Sequence, residues 1–147
     1  MKLVDTEETI VIVTGSDLRA EERDRPLAYK LKEEVDRRSD GQSFRRAVVV
    51  GDVWFLENRI FHMNPTVAVG GPGVNGVCQQ LTAVLPTLWT ESERSFVQAD
   101  FEGELKRAAL WGMDMATTSM AVDAFVSRGF LDDLLRRIWR FRTGVMV

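Results

Sequence analysis

A chain of 147 residues is the size of one compact domain, able to bury about two-thirds of the surface its unfolded form exposes. Its 45% hydrophobic and 28% charged residues exclude disorder, and its net charge of −3 excludes a whole-protein attraction to nucleic acid or to an anionic membrane. A lone cysteine, Cys78, cannot close an internal disulfide, the acidic start MKLVDTEET lacks a signal-peptide pattern, and no apolar run approaches the roughly 20 residues of a membrane span; a soluble cytoplasmic protein is expected.

In chain order, TIVIVTG (9–15) is a β-branched run closing on glycine and reads as a strand buried on both faces. Residues 24–38 place Pro26 in a first turn and Leu27, Leu31 and Val35 at a spacing of four, which predicts an amphipathic helix. RRAVVVGD (45–52) is a second apolar strand, again stopped by a glycine and an acid. Residues 53–64 fit either a short strand or a turn of helix before Pro65. TVAVGG (66–71) is a third strand, and GVNGVCQQLTAVLP (73–86) a helix with Val77, Leu81, Val84 and Leu85 on one face.

Further on, SFVQADF (95–101) alternates apolar and polar residues, and ELKRAALWG (104–112) either pairs back onto it as a hairpin strand or turns helical over 104–110. The run from Asp114 to a capping Gly129 predicts a helix, and FLDDLLRRIWRFR a second one with acids first and arginines last, in keeping with its dipole. That last stretch mixes arginine with aromatics, yet on an amphipathic helix it reads as a solvated face with Leu134, Leu135, Ile138 and Trp139 turned inward. Strands alternating with helices predict an α/β fold: a single Rossmann-like domain over 1–147, a three-layer α/β/α sandwich whose mainly parallel sheet leaves room for an antiparallel edge hairpin.

Three strands then end in glycine at what would be one carboxyl edge: TGSD (14–17), GDVW (51–54) and GGPGVN (70–75), with WGMD (111–114) joining them if its strand runs the same way. Ligands of open α/β sheets bind along that edge, and glycine lets them approach the backbone. Gly70, Gly71 and Gly73 would turn their amides, and the following helix its positive end, toward a phosphate or carboxylate; the alternative is that they only let strand and helix pack closely. Thr14, Gly15, Ser16, Gly51, Asp52 and Asn75 complete the expected ligand-binding set, with Asn75 open to a helix cap as its other role. The loop matches neither GxGxxG nor GxxxxGK[ST], which disfavours the usual dinucleotide and P-loop sites.

The VTGS strand end and the later strand running into GGPG and a helix resemble the SLOG superfamily of Rossmann-like nucleotide-binding proteins, which includes lysine-decarboxylase-like phosphoribohydrolases and nucleotide-sensor domains. The resemblance implies a nucleotide or nucleotide-derived ligand. In the phosphoribohydrolase branch the loop reads PGGxGTxxE; here Ala68 or Val69 stands in place of its proline, Val74 of its threonine and Val77 of its glutamate. The glycines carry over and the catalytic acid does not.

Asp17, Asp52 and Asp114 each follow a strand-end glycine and are the candidate catalytic carboxylates, as an acid and base pair or as holders of ribose hydroxyls or a divalent cation; capping the next turn is the competing role. His62 is a general base or simply packed, and Cys78 reads as core. With one histidine and one cysteine, no zinc site is expected, and a nucleotide is the sole cofactor class the edge suggests. Trp54 and Trp111 adjoin strand ends, where either a base or the core would take them. The apolar tail TGVMV (143–147) suggests an added strand and a homo-oligomer. The function expected is a sensor or binding module for a phosphorylated or nucleotide-like small molecule, with neither nucleic acid nor membrane as partner; the alternatives are a hydrolase or transferase of a nucleotide derivative, or a structural protein whose glycine edge is filled by its own side chains.

Overall fold

The computed structural model describes the backbone of residues 4–145 and side chains of residues 4–139. The elements in order are β1 (Ile10–Thr14), α1 (Leu18–Arg23), α2 (Arg25–Arg37), β2 (Ala47–Gly51), α3 (Asp52–Glu57) with a 3-10 turn Arg59–Phe61, β3 (Thr66–Val69), α4 (Gly76–Thr82), β4 (Thr87–Glu91), β5 (Ser95–Asp100), β6 (Arg107–Gly112), α5 (Met115–Ser127) and α6 (Phe130–Val145). The strands form one mixed sheet in the order β2-β1-β3-β6-β5-β4, so the chain has an α/β fold. The pairs β1–β2, β1–β3 and β3–β6 are parallel, whereas β6–β5 and β5–β4 are antiparallel.

Strand alternation sorts the core into two clusters. Ile10 and Ile12 of β1, with Val67 and Val69 of β3, join Leu31 and Val35 of α2, Phe125 of α5 and Leu131 and Leu134 of α6. Val11 and Val13, with Ala68 and Ala109, join Phe55 of α3 and Val77, Cys78 and Leu81 of α4. At the amino end of the sheet, Trp139 Nε1 donates to Glu8 O at 2.9 Å and an Arg45 guanidinium nitrogen donates to Trp139 O, which fastens α6 below the strands.

Several elements that the sequence left open, or read otherwise, are fixed for physical reasons. The stretch after β1 is helical as α1 because Asp17 caps it, its carboxylate accepting from Ala20 N. The undecided 53–64 region is helix then 3-10 turn, with Phe55 turned inward while Val53, Trp54 and Ile60 stay exposed. Residues 107–112 are strand rather than helix: Ala108, Ala109 and Leu110 are fully buried between β3 and β5, where a strand satisfies both neighbours. β4 carries no inward alternation because most of its residues are exposed at the sheet edge. The backbone of α6 runs through Val145 where a strand was expected from 143; residues 146–147 and the tail's side chains lie outside the described residues. Among the described residues no helix is long and apolar enough to cross a membrane.

Candidate functional site

Because β6 is parallel to β3 and β1, the ends of all four parallel strands do reach one edge. Strand order reverses beside β1, since β2 lies on one side of it and β3 on the other. The edge divides into two halves of different character.

The half over β1 and β2 is filled by the protein itself. Asp52 is buried, its Oδ1 accepting from Ser16 Oγ at 2.6 Å and Val53 N at 2.8 Å, and its Oδ2 from Gly76 N at 2.7 Å. Asn75, 1% exposed, donates through Nδ2 to Val13 O and Val69 O at 2.9 and 3.0 Å and accepts at Oδ1 from Val77 N and Cys78 N at 3.0 and 3.1 Å. These two side chains take up the first amides of α4, so the helix end expected to meet a ligand anion meets Asp52 and Asn75 instead. Both donors of Asn75 are occupied within the protein, which makes it a cap and clamp. Gly15 belongs to the same packing: a Cβ there would collide with the carbonyl oxygen of Val74. Gly51 lies against Ser16 Oγ, and Thr14 is fully buried, with no hydrogen-bond partner for its hydroxyl among the described residues.

The half over β3 and β6 is open. A cavity of 340 Å³ lies there, bounded by Arg19 and Arg23 of α1, by Asp24, by the loop Gly71–Val74, and by Trp111 to Met115 with Thr118. Of the expected ligand-binding glycines, Gly71 and Gly73 border it, and added Cβ atoms would find 3.6 Å of clearance to Gly112 O at the first and open space at the second. Gly70 does not present its amide, which donates to Leu110 O at 3.0 Å. Its φ of +120° suits only glycine, and a Cβ would come 2.5 Å from Asp24 Oδ2, so this glycine makes room for a carboxylate.

The three carboxylates singled out in the sequence do not converge. Asp17 caps α1 and Asp52 is internal. Asp114 borders the cavity, but as the cap of α5: it accepts from Thr117 N and Thr117 Oγ1, both at 2.8 Å, and faces Arg94 at 3.5 Å. The Thr117 hydrogen bonds, and secondarily Arg94, hold its carboxyl below the usual range. Trp111 borders the cavity with its ring stacked on Phe96 at 4.3 Å and its Nε1 donating to Gln98 Oε1, whereas Trp54 lies elsewhere, tilted against Phe61. His62 is packed, stacked on Phe55 with Nε2 2.7 Å from Phe55 O. Burial pushes the Cys78 thiol up to about 12, which leaves it inert as a nucleophile.

Asp24 is the residue that sequence reading missed. It is 6% exposed, stands at the N-cap of α2 without making a capping bond, and has no hydrogen-bond donor at its carboxylate among the described residues. Burial, reinforced by the charge of Asp17 and opposed by that of Arg23, pushes its carboxyl up to about 6. Arg19 and Arg23 make no ion pair among the described residues and, four apart on α1, share one face. That spacing directly after a strand-end TGSD was the available signal.

A second hollow of 420 Å³ beside β2 is larger, but Val11, Val48, Val50, Trp54 and Phe61 line it and it holds no charged side chain. No protein-family model and no curated protein matches the chain. The chemistry of the site therefore rests on its geometry.

Proposed function

We propose that the cavity over β3 and β6 binds a phosphorylated or nucleotide-like small molecule, and that the protein acts as a sensor or binding module for it. The observation that carries this reading is that Arg19 and Arg23, which make no ion pair among the described residues, border the same cavity as the glycine loop 71–74. Arginine suits phosphate through its planar array of donors, and Gly71 and Gly73 let an anionic group approach the backbone. At 340 Å³ the space is near the small end of ligand pockets, which favours a mononucleotide or sugar phosphate over a dinucleotide. In this reading the fold is a Rossmann-like α/β/α sandwich whose ligand lies at the carboxyl edge, and the likeness to the SLOG superfamily is one of ligand class.

A catalytic reading, as a hydrolase or transferase at the same cavity, is favoured by one observation: the carboxyl of Asp24, at about 6, is near the value that suits a general base at neutral pH. It replaces Asp17 and Asp52 in that role.

The test is a thermal-shift titration with AMP, ribose 5-phosphate and inorganic phosphate. Wild type is expected to be stabilised by at least one of them, and Arg19→Ala/Arg23→Ala, a surface change, to fold normally and lose the shift. An unchanged shift in the double variant ends the proposal. Self-association through the tail is part of the same reading, and equal solution masses for the full chain and one ending at Arg142 would remove it.

A further inference from the structure

A buried acid is ordinarily paired, capped or protonated, because taking a charge out of water without compensation is costly. Asp52 obeys this rule through its hydrogen bonds to Ser16 Oγ, Val53 N and Gly76 N. Asp24 does not: it is 6% exposed, it makes no cap, and no donor of the described residues reaches it. The backbone nevertheless accommodates it, since Gly70 has a conformation closed to other residues and its missing side chain is the space that Asp24 Oδ2 fills. Asp24 borders the same cavity as the arginine pair. The cavity mouth adds apolar surface from Pro72, Met113 and Met115, with Leu18 of α1 exposed close by in sequence to Arg19.

Resting on the anion-binding reading above, we infer that Asp24 is a specificity-determining residue: it accepts a hydrogen bond from a hydroxyl or amino group of the ligand while Arg19 and Arg23 hold the phosphate. The ligand class is then a phosphate monoester whose organic part carries a donor, such as a ribose phosphate or a mononucleotide, and bare phosphate is a poor substitute. The missing hydrogen bond to Asp24 is supplied on binding. The apolar mouth suits the carbon face of a sugar or base, which inorganic phosphate lacks.

The experiment measures dissociation constants for AMP, ribose 5-phosphate and inorganic phosphate at pH 7.5 and fixed ionic strength, with wild type, Asp24→Asn, Asp24→Ala and Arg19→Ala/Arg23→Ala. A hydrogen bond to a charged acceptor is expected to give the esters about tenfold or greater preference over inorganic phosphate in wild type. Both Asp24 variants should bring that preference to within about twofold, with inorganic phosphate bound as well as before or better, because a negative charge has left the cavity. If the esters keep their preference in both variants, or have none in wild type, Asp24 is not the selector and the anion site stands alone. If no probe binds wild type, or the double arginine variant binds all three unchanged, the anion site itself is wrong and this inference goes with it.

Discussion

Asn75→Ala is expected to destabilise the protein by about 4 kcal/mol, enough to remove most of the stability of an ordinary domain. The side chain closes four hydrogen bonds in a fully buried position, joining the ends of β1 and β3 through Val13 O and Val69 O and capping α4 through Val77 N and Cys78 N. Alanine leaves those groups where water does not reach them, and each buried orphan costs on the order of 1–3 kcal/mol, partly recovered by relaxation. Asn75→Asp keeps the acceptor and loses both donors, so it should lie on the same side, with a negative charge held against two carbonyl oxygens. Urea unfolding at neutral pH measures both; a loss below about 1 kcal/mol for the alanine variant would falsify the clamp.

Asp24→Asn is expected to act in the opposite direction. The unfolded chain titrates this group near 3.8, whereas burial, aided by Asp17 and opposed by Arg23, raises the native value to about 6. The folded state thus holds the proton more tightly. Below pH 3.8 both states are protonated and the native state bears no penalty from this group. Between about 4 and 6 the native state binds more protons than the unfolded one, so this contribution to stability declines as pH rises, and above about 6 the buried charge is present in full. Replacing the carboxylate should therefore stabilise the protein at pH 7.5 by on the order of 2 kcal/mol, with the gain fading toward pH 4. Melting curves of both proteins across that range measure it, and a gain that grows on acidification would contradict the assigned cause. A destabilising acid retained in a cavity fits a group kept for binding rather than for folding.

The framework was legible because its signals are local. TIVIVTG and TVAVGG are apolar on both faces, as interior strands require, RRAVVVGD carries the same run into the half-buried edge strand β2, and glycine marked where each ended. The exposed hairpin strand β4 gave no such signal, since edge residues such as Thr87 and Thr90 answer to solvent rather than to a core. At the edge itself, sequence proximity misled. Asp52 and Asn75 stand beside glycines as ligand contacts would, yet both are bonded to backbone amides of α4. Asp24 was read as the start of a helix, because nothing in DRPLA states that Gly70, far along the chain, would leave a gap for its carboxylate. Burial of a charge is a long-range outcome, and a residue's neighbours in sequence do not encode it.

The carboxylate of Asp52 at the first amide of α4 has a consequence for any soluble anion. A tethered group competes at an effective concentration in the millimolar range or above, so a free phosphate would have to outbid a rival that never diffuses away. That junction is in effect permanently inhibited by its own chain. A glycine-rich strand-to-helix turn looks the same on paper whether its guest arrives from solution or is supplied from 24 residues upstream.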